Sequence, residues 1–147
     1  FPGVVQQEGT ARVIGMEMRI HKRKWWWFQP RKITMAPDGH LWFHPDSELF
    51  CDDFCDRDLG LQGLFIHELV HVWQHQKGIF LPLRRYPFST YNYTLKPGWM
   101  LERYGIEQQA EIVRHYFLLK NKAKVPGAPS LEQYESVLPF AKQAIAK

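Results

Sequence analysis

Cysteine is scarce: the 147 residues include two, Cys51 and Cys55. A zinc knuckle built on two cysteine pairs lacks its second pair. Cβ atoms four apart on a helix are ~5–6 Å from each other, against the ~3.8 Å a bridge needs, so a disulfide here requires an irregular segment. A bridge, which would imply an oxidising compartment, and two free thiols both remain open. Long apolar runs are missing too. No uninterrupted stretch of 18 apolar residues occurs, which excludes a spanning helix, and the N-terminus lacks the basic-then-apolar order of a signal peptide. Neither an internal repeat nor a low-complexity tract is visible, so solenoids and tethers are excluded. Aromatic residues, by contrast, are plentiful: ten Phe, six Trp and six Tyr, within a chain that is 45% hydrophobic and 23% charged. Such a composition rules out whole-chain disorder and fits one soluble domain over 1–147. Folding ~150 residues buries roughly 68–70% of the unfolded surface, so the chain needs no metal or disulfide to fold.

The net charge of +4 is spread along the chain except at His21-Lys22-Arg23-Lys24-Trp25-Trp26-Trp27-Phe28. Basic residues followed by indoles are able to meet nucleic acid or a lipid surface. The plainer reading is a strand or irregular segment that inserts some indoles into the core and leaves its charges in water, and on it no nucleic-acid partner is expected.

Residues 10–20 alternate in part and predict a strand. Pro37-Asp38-Gly39 predicts a turn into a short strand, Leu41-Trp42-Phe43, which Pro45 stops. Asp58 is a candidate N-cap for a helix over Leu61 to Lys77, closed by Gly78. The apolar residues Leu61, Leu64, Phe65, Ile66, Leu69, Val70, Val72 and Trp73 cover most of its circumference, so it is expected to be central and buried. Residues 79–99 read as a long ordered loop with room for one short strand. A second helix runs from Ile106 to about Lys122 with Ile106, Ala110, Val113 and Phe117 on one face. Ser130 caps a last helix, 131–146, that Pro139 kinks or divides.

The central helix carries His67-Glu68-Leu69-Val70-His71. Histidines at i and i+4 project from one side, ~6 Å apart along the axis, so both imidazoles can reach one tetrahedral Zn²⁺. Glu68 lies about 100° round from His67, near the open side of such an ion. A hydrogen-bonded core pair is the alternative. Burying two imidazoles and a carboxylate in an otherwise apolar helix is costly without partners or a metal. His75 sits ~12 Å along the axis from His67, too far to share an ion, which leaves it a supporting or surface histidine. The metzincin arrangement also fails, since Gln74 and Lys77 stand where it needs Gly and His. Glu107 and Glu111, at i and i+4 beside the packing stripe of the second helix, are better candidates. Their plainer reading is a solvated edge paired with Arg103 or Arg114. His40 and His44 flank an edge strand and read as turn and surface residues.

His67-Glu68-x-x-His71 with Glu107-x-x-Ala110-Glu111 resembles the gluzincin pattern. The segments 64–74 and 104–113, with Pro37-Asp38-Gly39-His40-Leu41-Trp42-Phe43-His44-Pro45 upstream, are similar to metallopeptidase domains related to Vgr and Rhs proteins, found with type VI secretion spikes and polymorphic toxins. The resemblance spans about residues 35–120. It implies an α+β, zincin-like fold with a central active-site helix, a small mainly antiparallel sheet from residues 10–45 and additional C-terminal helices. It implies Zn²⁺ held by His67, His71 and Glu107, with Glu68 as general base in peptide hydrolysis. Glu111, where gluzincins commonly have Asp, would orient a ligand histidine. Tyr91, Tyr93, Tyr104, Arg103 and His115 are candidate oxyanion donors, Tyr93 the favoured one. The implied setting is a secreted antibacterial effector, delivered into a target cell with the periplasm as one candidate compartment. Its partners would be a peptide or protein substrate, a cognate immunity protein and a secretion spike as carrier. The competing class is a catalytically silent zinc adaptor or binding module, against which an intact Glu68 argues.

Overall fold

The computed structural model describes residues 6–7, 10–13, 16–24, 27–29, 31, 34, 36, 38–48, 57–79, 90–139 and 141. Among these residues four short strands form one sheet in the order β1-β2-β3-β4: β1 (Gln6–Gln7), β2 (Thr10–Val13), β3 (Met16–His21) and β4 (Leu41–Trp42). The stretch read as a single strand is thus two, paired antiparallel with Val13 opposite Met16. The faltering alternation at Gly15 and Met16 marks the break between them. β1 adds to β2 antiparallel, so the sheet begins upstream of the predicted 10–45. β4 runs parallel to β3, with Ile20 opposite Leu41 and His21 opposite Trp42. Parallel neighbours need a crossover of a dozen or more residues, and residues 22–40 supply it. The sheet is mainly antiparallel, as expected, and β4 lies at its edge.

Among the described residues three α-helices follow, α1 (Leu59–Gln76), α2 (Ile106–Lys120) and α3 (Leu131–Val137), with a 3₁₀ turn at Leu101–Arg103 before α2. Asp58 caps α1, its side chain accepting from the Leu61 amide at 3.1 Å. At the other end the Lys77 and Gly78 amides close onto the Trp73 and His75 carbonyls. Ser130 and Gln133 cap α3 reciprocally, each side chain accepting from the other's amide. Val137 ends that helix, Leu138 is extended, and Ala141 is helical again. Pro139, which has no amide proton to give, divides the predicted last helix there.

The core joins these layers. Ile20, Leu41 and Phe43 from the sheet, Phe65, Ile66, Leu69, Val70 and Val72 from α1, and Ala110, Ile112 and Val113 from α2 are buried together. Tyr134 and Val137 from α3, with Leu138 just beyond it, close the core. α1 and α2 approach closely at Gly63, where a Cβ would stand 3.2 Å from Leu118 Cδ2. The 38–40 turn leans on the end of α1. Gly39 has φ +83°, and a Cβ there would lie 2.6 Å from His75 Cδ2, so only glycine fits without displacement.

Residues 90–99 contain no regular element; the rest of the predicted long loop, 80–89, lies outside the described residues, as do Cys51 and Cys55. The described loop is tied down by side chains. The Tyr104 hydroxyl accepts from the Lys96 amide, Gln108 Nε2 donates to the Asn92 carbonyl, and Lys96 and Arg103 both lie over the Trp99 ring. Of the basic-aromatic cluster, Trp25 and Trp26 lie outside the described residues. Lys22, Arg23 and Lys24 are exposed, as the plainer reading expects. Trp27 and Phe28 are exposed as well, at 84% and 73%. Among the described residues an indole that packs here is Trp42, stacked on His21 with Arg23 over its ring.

Candidate metal centre

α1 and α2 pack side by side, which sets His67 and His71 opposite Glu107. All three are buried, Glu107 and His71 at 1% exposure. Glu107 Oε2 lies 3.2 Å from His67 Nε2 and 3.1 Å from His71 Nε2, and the two Nε2 atoms are 3.2 Å apart. The three atoms form a nearly equilateral triangle. Its edges match the ~3.3 Å expected between corners of a tetrahedron around zinc at ~2.0–2.1 Å. Among the described residues, His67, His71 and Glu107 are the one group of His, Cys, Asp and Glu side chains placed to hold a metal ion.

The surroundings decide which ring nitrogens face inward as lone pairs. Gln74 is fully buried and its amide nitrogen donates to the Ile106 carbonyl and to Gln109 Oε1. Its Oε1 therefore faces His71 Nδ1 at 2.9 Å as an acceptor, and His71 carries its proton on Nδ1. Glu111 Oε1 lies 2.8 Å from His67 Nδ1. Burial disfavours the Glu111 anion, but bonds from His115 and His67 and the charge of Arg114 outweigh it and hold the carboxyl well below the usual range. An ionised Glu111 only accepts, so His67 also carries its Nδ1 proton. Both Nε2 lone pairs and a carboxylate oxygen then converge on one point. Three electron-rich atoms at this spacing repel unless a cation sits among them, so the donor set fits a metal. Without one, a proton takes that place: burial pulls the His67 pKa down, yet bonding to Glu107 and Glu111 and the charge of Glu68 push it up to about 9.

Glu68 is half-buried on the next position of α1, close enough for its charge to act on His67. Glu111 meets His67 as the resemblance implied. Tyr93 lies against His115 of α2 and Tyr134 of α3. Its hydroxyl lies between His115 Nδ1, at 2.7 Å, and the Tyr134 hydroxyl, at 2.6 Å. It connects to the donor triangle through His115, Glu111 and the Nδ1 edge of His67. Of the other tyrosines, Tyr104 serves the loop, while Tyr91 is exposed with its ring alongside His67, centroids 6.0 Å apart. His75 stays outside the triangle against Gly39. His40 is half-buried in its turn. His44 is buried rather than on the surface as expected, because its Nδ1 accepts from the Asp46 amide at 3.0 Å. Sequence reasoning missed Gln74; the available signal was an amide three residues after His71 on a buried helical face.

No family model matches the sequence. The effector domain of Pseudomonas aeruginosa VgrG2b superposes with a TM-score of 0.66 at 35% sequence identity, over 82% of this chain and 70% of that one. The chain belongs to the VgrG2b effector-domain family. The type VI secretion system spike protein VgrG2b of Pseudomonas aeruginosa is itself 43% identical over 103 residues, which are 65% of this chain and 10% of the spike protein. This member of the VgrG2b effector-domain family thus matches about a tenth of the length of a spike protein that itself belongs to a type VI secretion system. Among the described residues no helix is long and apolar enough to cross a membrane.

Proposed function

We propose that this chain is a zinc-dependent, peptide-hydrolysing effector domain with a zincin-like architecture, carried by a type VI secretion spike and delivered into a target cell. The observation that carries the reading is the convergence of two imidazole lone pairs and one carboxylate oxygen beside Glu68 on a buried helix. A set of two nitrogens and one oxygen with tetrahedral edges suits zinc, which leaves a fourth position open in hydrolytic sites. Zinc bound there lowers the pKa of a water to about 7 and polarises the scissile carbonyl. His67, His71 and Glu107 would hold the ion, and Gln74 and Glu111 keep both rings turned with Nε2 inward. The Glu68 carboxylate accepts the proton of the attacking water and returns it to the leaving amine nitrogen. Tyr93, and Tyr91 with its ring alongside His67, are the candidate oxyanion donors. β4, at the sheet edge, offers main-chain pairing to an extended substrate. The family membership supports the effector setting with a spike as carrier; the periplasm as candidate compartment and an immunity protein as cognate partner complete the proposal.

Metal analysis should find one zinc per chain. Glu68→Gln should retain that zinc while hydrolysis falls at least a hundredfold and toxicity disappears. Full toxicity of Glu68→Gln in the compartment where the native domain kills would end the peptidase reading.

A further inference from the structure

The metal centre does not stop at Glu111. Oε1 of that carboxylate accepts from His67 Nδ1 at 2.8 Å and from Arg114 at 3.1 Å, while Oε2 faces His115 Nε2 at 3.3 Å. An ionised carboxylate has no proton to offer, so His115 donates through Nε2. Its other nitrogen, Nδ1, meets the Tyr93 hydroxyl at 2.7 Å, and Tyr93 meets the Tyr134 hydroxyl at 2.6 Å. Five side chains from four parts of the fold thus form one line: Tyr134 on α3, Tyr93 on the loop, His115 and Glu111 on α2, and His67 on α1.

The two ends of this line differ in freedom. Tyr134 is fully buried and its helix is fixed by the Ser130–Gln133 cap. Tyr93 packs edge-on against Tyr134 and tilted against His115. Glu111 stands on a flexible stem with one more methylene than aspartate, so something must fix its carboxylate plane. His115 and Arg114 grip it from one side, and Tyr93 with Tyr134 fix which way the His115 ring is turned.

We propose that His115, Tyr93 and Tyr134 are positioning residues for the metal. They set the Glu111 carboxylate so that His67 keeps its Nδ1 proton and presents Nε2 to the ion, which makes α3 part of the metal site without touching it. The inference rests on the metal-holding half of the reading above and is independent of whether the chain cleaves peptides. Outer partners of ligand histidines typically alter metal affinity by 10–100-fold.

The test uses the purified chain, Zn²⁺ with a competing chelator, and Co²⁺ as a spectroscopic probe. His115→Leu should raise the zinc dissociation constant about tenfold and shift the visible cobalt bands, with the melting temperature of the metal-free protein nearly unchanged. His115→Gln keeps a donor toward Glu111 and should recover at least half of that loss on a logarithmic scale. Tyr93→Phe and Tyr134→Phe, which keep the rings, should each raise the constant at least threefold. A His115→Leu protein within threefold of native, or no recovery in His115→Gln, overturns the proposal. Native protein that takes up neither ion overturns the metal reading as well, whereas native binding that is equal in every variant overturns the positioning role alone.

Discussion

Gln74 and Glu111 do the same job for different histidines, yet by different chemistry. Glu111 is an anion held by the Arg114 cation and by imidazole N–H groups; Gln74 is a neutral amide whose two donors are already spent, on Ile106 and Gln109. Replacing Gln74 with Leu leaves the Ile106 carbonyl and the His71 Nδ1 proton without these partners inside the core. The expected outcome is a zinc affinity lower by about 10–100-fold, read by chelator competition, together with a loss of roughly 1–3 kcal/mol in stability, read by denaturant titration. The raised His67 pKa fixes the sign of a pH effect. A proton on His67 stabilises the metal-free fold fully below about 6.5, the ordinary histidine value, and that contribution is lost as pH rises through about 9. Zinc must displace that proton, so its affinity should climb over the same range. Melting curves of native and His67→Gln protein, with and without zinc, at pH 6 and 9 check both statements. A native-minus-variant difference in metal-free melting temperature that grows with pH would contradict them.

At the level of elements, the helices carry most of what matters and each has a weak point. α3 is seven residues long, so its Ser130–Gln133 cap is a large share of its stability. Ser130→Ala should cost about 0.5–2 kcal/mol by denaturant titration. Gly39→Ala should cost about 1–3 kcal/mol, since positive φ and the His75 ring both oppose a side chain. Adding His75→Ala should return the steric part and leave the backbone part, which a double-mutant cycle separates. The helices were legible because a 3.6-residue period, an Asp or Ser cap and a closing glycine or proline are local signals. His67, Glu68 and His71 were legible for the same reason, since one helix fixes their mutual geometry. Glu107 and Glu111 could be paired with them because both sit beside the stripe that docks α2. The parallel pairing of β4 was not legible: two residues carry no information about which neighbour they join. Nor was the direction of the Tyr93 side chain. A tyrosine in a loop between ligand helices points wherever His115 and Tyr134 let it, and those contacts exist only after α3 has docked.

For the whole molecule, the core of sheet and helix side chains is built without the donor triangle. Stripping the metal should therefore lower the melting temperature without unfolding the chain at 25 °C. Zinc at a hundredfold its dissociation constant adds about 2.7 kcal/mol, or roughly 5–10 °C for a domain this size, read by calorimetry with and without chelator. The donors come from both sides of a long connection, His71 on α1 and Glu107 on α2, 36 positions apart. An ion held there is a cross-link in the topological sense, closing a ring of chain that includes Tyr91 and Tyr93. Bringing the ends of a ring of that length together costs roughly 4 kcal/mol by loop-entropy arithmetic, a cost the packing of α1 on α2 has already met when the ion arrives. In a chain with so few thiols, the same three side chains that would hold the ion would also tie α1 to α2 much as a disulfide ties distant segments.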